Sequence, residues 1–195
     1  MRALVWSGVE EWLAEHAQVD LLDDGVLATG VQLGVEPEPY RLDYLLDVPH
    51  EWITRRLEIA ASGAGWRRSL TLEHDGAGRW TADGERLTDV DGALDCDLAF
   101  SPLTNLMPVR RSALHEHAGS EDFLMAWVSV PDLRVHASPQ RYEHVRTADE
   151  GSVVRYLSRD GDFTAELELD RDGLLVFYPR LARRVEPFAR ADEAG

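Results

Sequence analysis

The chain has 195 residues and a formal net charge of −16, from 36 acidic and 20 basic residues. A field of that sign repels nucleic acid and anionic membrane surfaces, so neither is an expected partner. The single cysteine excludes an intrachain disulfide, and no segment approaches the roughly 20 apolar residues of a membrane span, so we expect a cytoplasmic protein without an integral membrane segment.

Alternating apolar and polar residues predict β-strands along most of the chain. The predicted strands cover residues 2–7, 18–23, 26–34, 40–47, 52–60, 113–118, 123–130, 133–137 and 153–158, and the same alternation occurs in 70–73, 163–169 and 174–178. Residues 9–17 are the ambiguous stretch, since their helix propensity is good. We favour a strand there because Trp12 and Leu13 are its only large apolar residues.

The dipeptide Asp-Gly occurs six times and predicts tight turns between these strands, because glycine accepts the positive φ that primed hairpin turns require. The six lie at residues 24–25, 75–76, 83–84, 91–92, 160–161 and 172–173. The sum is one mainly β domain of a dozen or more strands. A sheet of that size must curl or close, and its interior could hold a ligand.

One segment departs from the strand pattern and predicts a short α-helix at about residues 101–111. Ser101 and Pro102 form a helix-start signal, in which the serine caps free N–H groups and proline loses no hydrogen bond. Leu103, Leu106 and Met107 then fall at helical spacing on one face. A lone apolar helix among strands must be covered by them, so it is a core plug or the floor of a pocket.

Two groups of polar residues suggest catalysis or metal binding. Asp95 and Asp97 would share one face of a strand, where burial would raise the pKa of one carboxyl and make it an acid. The alternative is that they bond backbone N–H groups as the chain enters the helix.

His115 and His117 would also share a strand face, but nothing in the spacing supplies a third metal ligand. We expect no catalytic residue, metal or cofactor, and keep an enzyme using either pair as an alternative.

Several motifs carry a family resemblance: Asp95-x-Asp97-Leu98, Ser101-Pro-Leu-Thr-Asn-Leu-Met-Pro-Val-Arg-Arg111, Val130-Pro-Asp-Leu133, Gln140-x-Tyr142 and Asp170-x-x-Gly-Leu-Leu-x-x-Tyr-Pro179. In these motifs the chain resembles the bacterial glycolipid-binding protein family, long known as a domain of unknown function. The Pro-x-Thr-Asn-x-x-Pro core is its most specific part. The resemblance extends from Trp6 to Pro179, and Met107 departs from the leucine or other aliphatic residue expected there.

The resemblance implies a spiral β-roll, in which a many-stranded antiparallel sheet wraps around one short helix, and a tight homodimer. It also implies glycolipid or lipid binding and brings no catalytic residues. We place one domain at residues 1–188 and a frayed tail at 189–195.

The implied ligand is an amphiphile held between the sheet and the helix, on mostly apolar side chains with few polar contacts. Its acyl part would contact Leu103, Leu106 and Met107. Its head group would meet Asn105, Arg110, Gln140 and Tyr142. A further alternative is a structural dimer with a filled core that binds a protein partner.

Overall fold

Residues 1–186, which the structure describes, form one β-sheet of fifteen strands and one short helical segment. In this computed structural model the first eight strands are β1 (Arg2–Gly8), β2 (Leu13–Leu21), β3 (Val26–Gly34), β4 (Tyr40–Val48), β5 (Arg56–Gly63), β6 (Trp66–His74), β7 (Trp80–Ala82) and β8 (Glu85–Leu87). The other seven are β9 (Asp95–Leu98), β10 (Ser120–Val128), β11 (Val135–Ala148), β12 (Gly151–Ser158), β13 (Thr164–Asp170), β14 (Leu175–Tyr178) and β15 (Ala182–Arg184). The expected domain end at 188 and the tail at 189–195 lie outside the described residues.

The strand order consists of two meanders joined by the first and last strands. The sheet runs β8-β7-β6-β5-β4-β3-β2-β1-β15-β14-β13-β12-β11-β10-β9. Every neighbouring pair is antiparallel except β9 and β10, which are parallel. The pairing of β1 with β15, in which Trp6 lies opposite Arg184, therefore brings the two ends of the described chain together.

The core lies between the inner face of this sheet and the helical segment. Strand β3 shows the pattern, since every second residue from Val26 to Gly34 is buried. Side chains from both meanders and from the helical segment belong to one continuous apolar cluster. The predicted fold class, a mainly antiparallel sheet wrapped around one short helix, is thus confirmed.

The helical segment is a 3-10 turn at Leu103–Asn105 followed directly by helix α1 at Leu106–Arg111, close to the predicted bounds. Leu103, Leu106 and Met107 are at most 2% exposed, as expected of a core plug. The predicted serine cap is wrong, because the Ser101 hydroxyl donates to Glu15 and no side chain of residues 1–186 caps the helix. No helix within residues 1–186 is long and apolar enough to cross a membrane.

One predicted strand is absent because a turn interrupts the alternation, and the strand predicted at 133–137 continues to Ala148. Residues 113–118 are a turn after the helix, in which Ala113 has a φ of 50°, so the strand predicted there is wrong. The strand favoured within 9–17 is present but begins at Leu13. Among the six Asp-Gly pairs, four glycines adopt positive φ. These four are Gly76, Gly84, Gly92 and Gly173.

Candidate functional site

A buried carboxyl group, that of Glu15 on β2, lies at the point where the chain enters the helical segment. Its Oε1 accepts hydrogen bonds of 2.8 Å from both the Tyr44 and Ser101 hydroxyls, and its Oε2 lies 3.4 Å from Gln32 Nε2. Burial raises the pKa of Glu15 from 4.5 to about 7, against the lowering effect of these hydrogen bonds. Glu15 is not among the residues predicted from the sequence, although it stands at an inward position of its strand.

Two glycines on β3 make room for the tyrosines around Glu15. A Cβ atom at Gly30 would lie 2.3 Å from the Tyr44 ring, and one at Gly34 would lie 2.5 Å from the Tyr40 ring. Both rings therefore lie flat across β3, which only glycine permits. The Tyr40 hydroxyl then donates to Gln32 Oε1 at 2.8 Å.

A second buried network contains three of the predicted head-group residues. Gln140 Nε2 and Thr104 Oγ1 each donate to Asp97 at 2.8 Å. The Tyr142 hydroxyl lies 3.0 Å from Asn105 Oδ1 and 3.1 Å from Gln140 Oε1. Burial raises the pKa of Asp97. The structure thus brings Asn105, Gln140 and Tyr142 together, bonded to one another and at most 7% exposed; their contact with a ligand stays a prediction.

Asp95 does not form an acid pair with Asp97, because it binds Arg111 at the end of the helix. Arg111 Nη2 donates to Asp95 Oδ2 at 2.6 Å, in a pair whose carboxylate is 1% exposed. Burial raises the pKa of Asp95, and the arginine opposes that shift. Each aspartate therefore has its own internal partners. The thiol of Cys96 between them is buried, which raises its pKa to about 12 and makes it a poor nucleophile.

The two candidate histidines do not share a face. His115 is buried, with its Nε2 3.1 Å from Arg110 Nη1, whereas the His117 side chain is 76% exposed. Arg110 lies over the Trp52 ring at 4.6 Å and donates to the backbone oxygen of Asp172. Within residues 1–186 no group of three histidine, cysteine or acidic side chains could hold a metal ion.

Aromatic side chains line a surface groove of about 280 Å³, hereafter the aromatic groove. It is formed by the turn between β1 and β2, the end of β3, the residue before Ser101, and the segments that flank β13 and β14. Its lining residues are Glu10, Glu11, Trp12, Leu13, Gly34, Val35, Glu36, Tyr40, Phe100, Phe163, Tyr178, Arg180 and Leu181. None of the seven predicted ligand contacts is among them.

Contacts between distant parts of the chain build the aromatic groove. The backbone N–H groups of Val9 and Glu10 donate to the oxygens of Leu181 and Arg180, at 3.1 and 3.3 Å. Arg180 Nε also lies 3.2 Å from both carboxylate oxygens of Glu10. These bonds continue the β1–β15 pairing and hold the two walls of the groove together.

The floor and walls of the aromatic groove are large ring systems. Trp12 is 59% exposed, an unusual state for a side chain of that size. The rings of Phe163 and Tyr178 are 6.2 Å apart. Phe100 adopts a φ of 64°, a backbone conformation that is rare for bulky residues and that occurs most often at functional sites.

The aromatic groove is joined to both buried networks. Tyr40 links it to Glu15 through Gln32, and the pKa of the Tyr40 hydroxyl is raised by burial and by the charges of Glu15 and Glu11. On the other side, the ring of Tyr178 lies 6.1 Å from that of Tyr156, which lies 5.4 Å from that of Tyr142. The groove therefore lies at the outer end of a continuous chain of side chains that reaches the helical segment.

Comparison with known proteins points to one family. Residues 3–184 match the family model described as "Putative glycolipid-binding". The chain is also similar to the crystal structure of a DUF1089 family protein from Pseudomonas aeruginosa, with a TM-score of 0.75, 29% sequence identity and coverage of 88% of this chain and 92% of that chain. No curated protein matches the chain.

Proposed function

Because this chain belongs to the glycolipid-binding family, we propose that it binds a glycolipid or a related amphiphile, with the polar end of the ligand in the aromatic groove. The observation that carries this proposal is the composition of the groove. Trp12, Phe100 and Phe163 offer ring faces for apolar groups, and three carboxylates offer acceptors for hydroxyl groups. Apolar walls with a few polar groups are typical of small-molecule sites.

The volume of the aromatic groove suits a head group better than a whole lipid. Ligand pockets that enclose drug-sized molecules usually measure about 300–1,000 Å³, and this groove lies just below that range, at about 280 Å³. An acyl chain would reach Leu103, Leu106 and Met107 only by displacing the side chains packed around them, since each is at most 2% exposed. We therefore propose that the head group occupies the groove, and we keep the predicted acyl contacts, Leu103, Leu106 and Met107, as the route for an acyl chain that enters further. The head-group contacts predicted from the sequence, Asn105, Arg110, Gln140 and Tyr142, lie outside the groove.

The filled space around the helical segment favours a second candidate, a structural dimer that binds a protein partner.

We also propose that the protein is a homodimer in the bacterial cytoplasm. Apolar side chains on the outer face of the sheet, Val5, Leu27 and Leu33, support the dimer because they are between 37% and 45% exposed.

Titration calorimetry with octyl β-glucoside, kept below its critical micelle concentration, tests the ligand site. We expect Trp12→Ala to weaken binding at least about tenfold, because a stacked aromatic ring and its buried area contribute at least about 1.4 kcal/mol. Trp12 is largely exposed, so its removal leaves the core intact.

Leu22→Ala is the matched control for that experiment, since it shortens another exposed apolar side chain that does not line the aromatic groove. Its affinity for octyl β-glucoside should equal that of the unmodified protein. Equal affinities for Trp12→Ala and the unmodified protein would contradict the proposed site and favour the second candidate.

A further inference from the structure

We infer that the aromatic groove selects amphiphiles whose head group carries hydrogen-bond donors and no negative charge, such as an uncharged sugar or an amino sugar, and that it rejects phosphorylated, sulfated and carboxylated head groups. This inference rests on the proposed function, because it concerns the ligand of the same groove. Three observations carry it: the number of charges at the rim, their pairing, and the acceptors that the walls present.

Among residues 1–186, the rim of the aromatic groove carries three carboxylates and one guanidinium group. Arg180 is bound to Glu10 through two contacts of 3.2 Å, so these two charges compensate each other. Glu11 and Glu36 are exposed, and no arginine or histidine of residues 1–186 lies within ion-pair distance of either. The groove therefore has a net negative charge, within a protein whose formal charge is −16.

The hydrogen-bonding groups of the walls are mostly acceptors, which also favours a ligand that has donors and no negative charge. A carboxylate can only accept hydrogen bonds, so Glu11 and Glu36 need donors on the ligand. The Tyr40 hydroxyl is already committed as a donor to Gln32. A sugar hydroxyl or an ammonium group supplies donors, whereas a sulfate or phosphate oxygen would face like charges within the screening length of about 8 Å at physiological ionic strength.

The inference is tested with three amphiphiles that share an eight-carbon chain and differ only in the head group: octyl β-glucoside, octylammonium and octyl sulfate. Calorimetry below the critical micelle concentration should give an affinity for octyl sulfate at least about tenfold lower than for octyl β-glucoside, as expected of like-charge contacts that disfavour the wrong ligand. Octylammonium should bind, and its affinity should fall as salt is added.

The double variant Glu11→Gln/Glu36→Gln should reduce the difference in affinity between octyl sulfate and octyl β-glucoside. Glu51→Gln/Glu150→Gln is its matched control, since it removes the same net charge from exposed residues outside the groove. We expect the control variant to show the same difference in affinity as the unmodified protein, because charges beyond the screening length act weakly.

The outcomes separate the two proposals. If octyl sulfate binds within about threefold of octyl β-glucoside, and Trp12→Ala weakens both, the charge selection is wrong and the proposed function stands. If Trp12→Ala changes the affinity of none of the three, the proposed function is wrong and this inference falls with it.

Discussion

At the scale of single residues, the buried carboxyl of Glu15 is the clearest departure from an ordinary core. It has two hydroxyl donors and one amide neighbour but no cation from residues 1–186, so its charge is costly to bury. That cost appears as a pKa raised to about 7. The protein therefore folds best with this carboxyl protonated, and its stability should depend on pH near neutrality.

We expect Glu15→Gln to remove that dependence. The pKa of Glu15 is 4.5 when exposed and about 7 in the fold, so the folded state binds the proton more tightly and the free energy of unfolding falls as pH rises between these values. Urea unfolding of both proteins at pH 5 and pH 8 measures the effect. Relative to the variant, the unmodified protein should lose about 1–3 kcal/mol over this interval. An identical pH dependence in both proteins would contradict the assignment.

At the scale of elements, the ion pair of Asp95 and Arg111 connects the end of helix α1 to the edge strand β9. Asp95 begins β9, an end strand, and Arg111 ends α1. A buried pair contributes little compared with apolar residues of the same shape, but losing one partner leaves a bare charge in the core. The pair therefore fixes where the end of the helix lies.

Arg111→Ala should lower the free energy of unfolding by about 3–5 kcal/mol, because Asp95 would be buried without its cation. Arg134→Ala is the control, since Arg134 pairs with Asp132 on the surface, and it should change stability by less than about 1 kcal/mol. Denaturant unfolding measures both. Comparable effects of the two variants would show that the pair at Asp95 is no more important than a surface pair.

At the scale of the whole molecule, the outer face of the sheet carries exposed apolar side chains among polar ones. Register places Val5 opposite His16, and His16 opposite Val31, while Leu27 and Leu33 stand on the same face of β3. The homodimer proposed above would bury these side chains, since apolar surface is removed from water when subunits associate.

Leu27→Arg/Leu33→Arg should convert the dimer into a monomer of 21.9 kDa, because four charges would face one another across a two-fold interface. Sedimentation velocity measures the change. Leu22→Arg, in the turn before Gly25, is the control and should remain dimeric. A monomeric unmodified protein, or a dimeric double variant, would contradict this interface.

Much of the fold follows from the sequence because the alternation of strands and the spacing of a helix are local. The strand at 26–34 has the predicted bounds, and the helical segment begins within two residues of its predicted start. The strand predicted at 113–118 failed for a local reason as well: the turn through Ala113 with positive φ is not encoded by apolar alternation. The wrapping of the sheet around the helix was expected from the family resemblance and from the number of strands.

The groove and its charges were decided only by the tertiary structure. The sequence by itself determined that the chain would form many strands and cover one apolar helix, because those properties depend on neighbours a few residues apart. Glu10 meets Arg180 only because β1 pairs with β15, a pairing that joins residues about 170 positions apart. The carboxyl of Glu15 is buried only because Tyr44 and Ser101, which lie 29 and 86 positions away in the sequence, pack against it. Burial and charge compensation of this kind exist only once distant segments have come together.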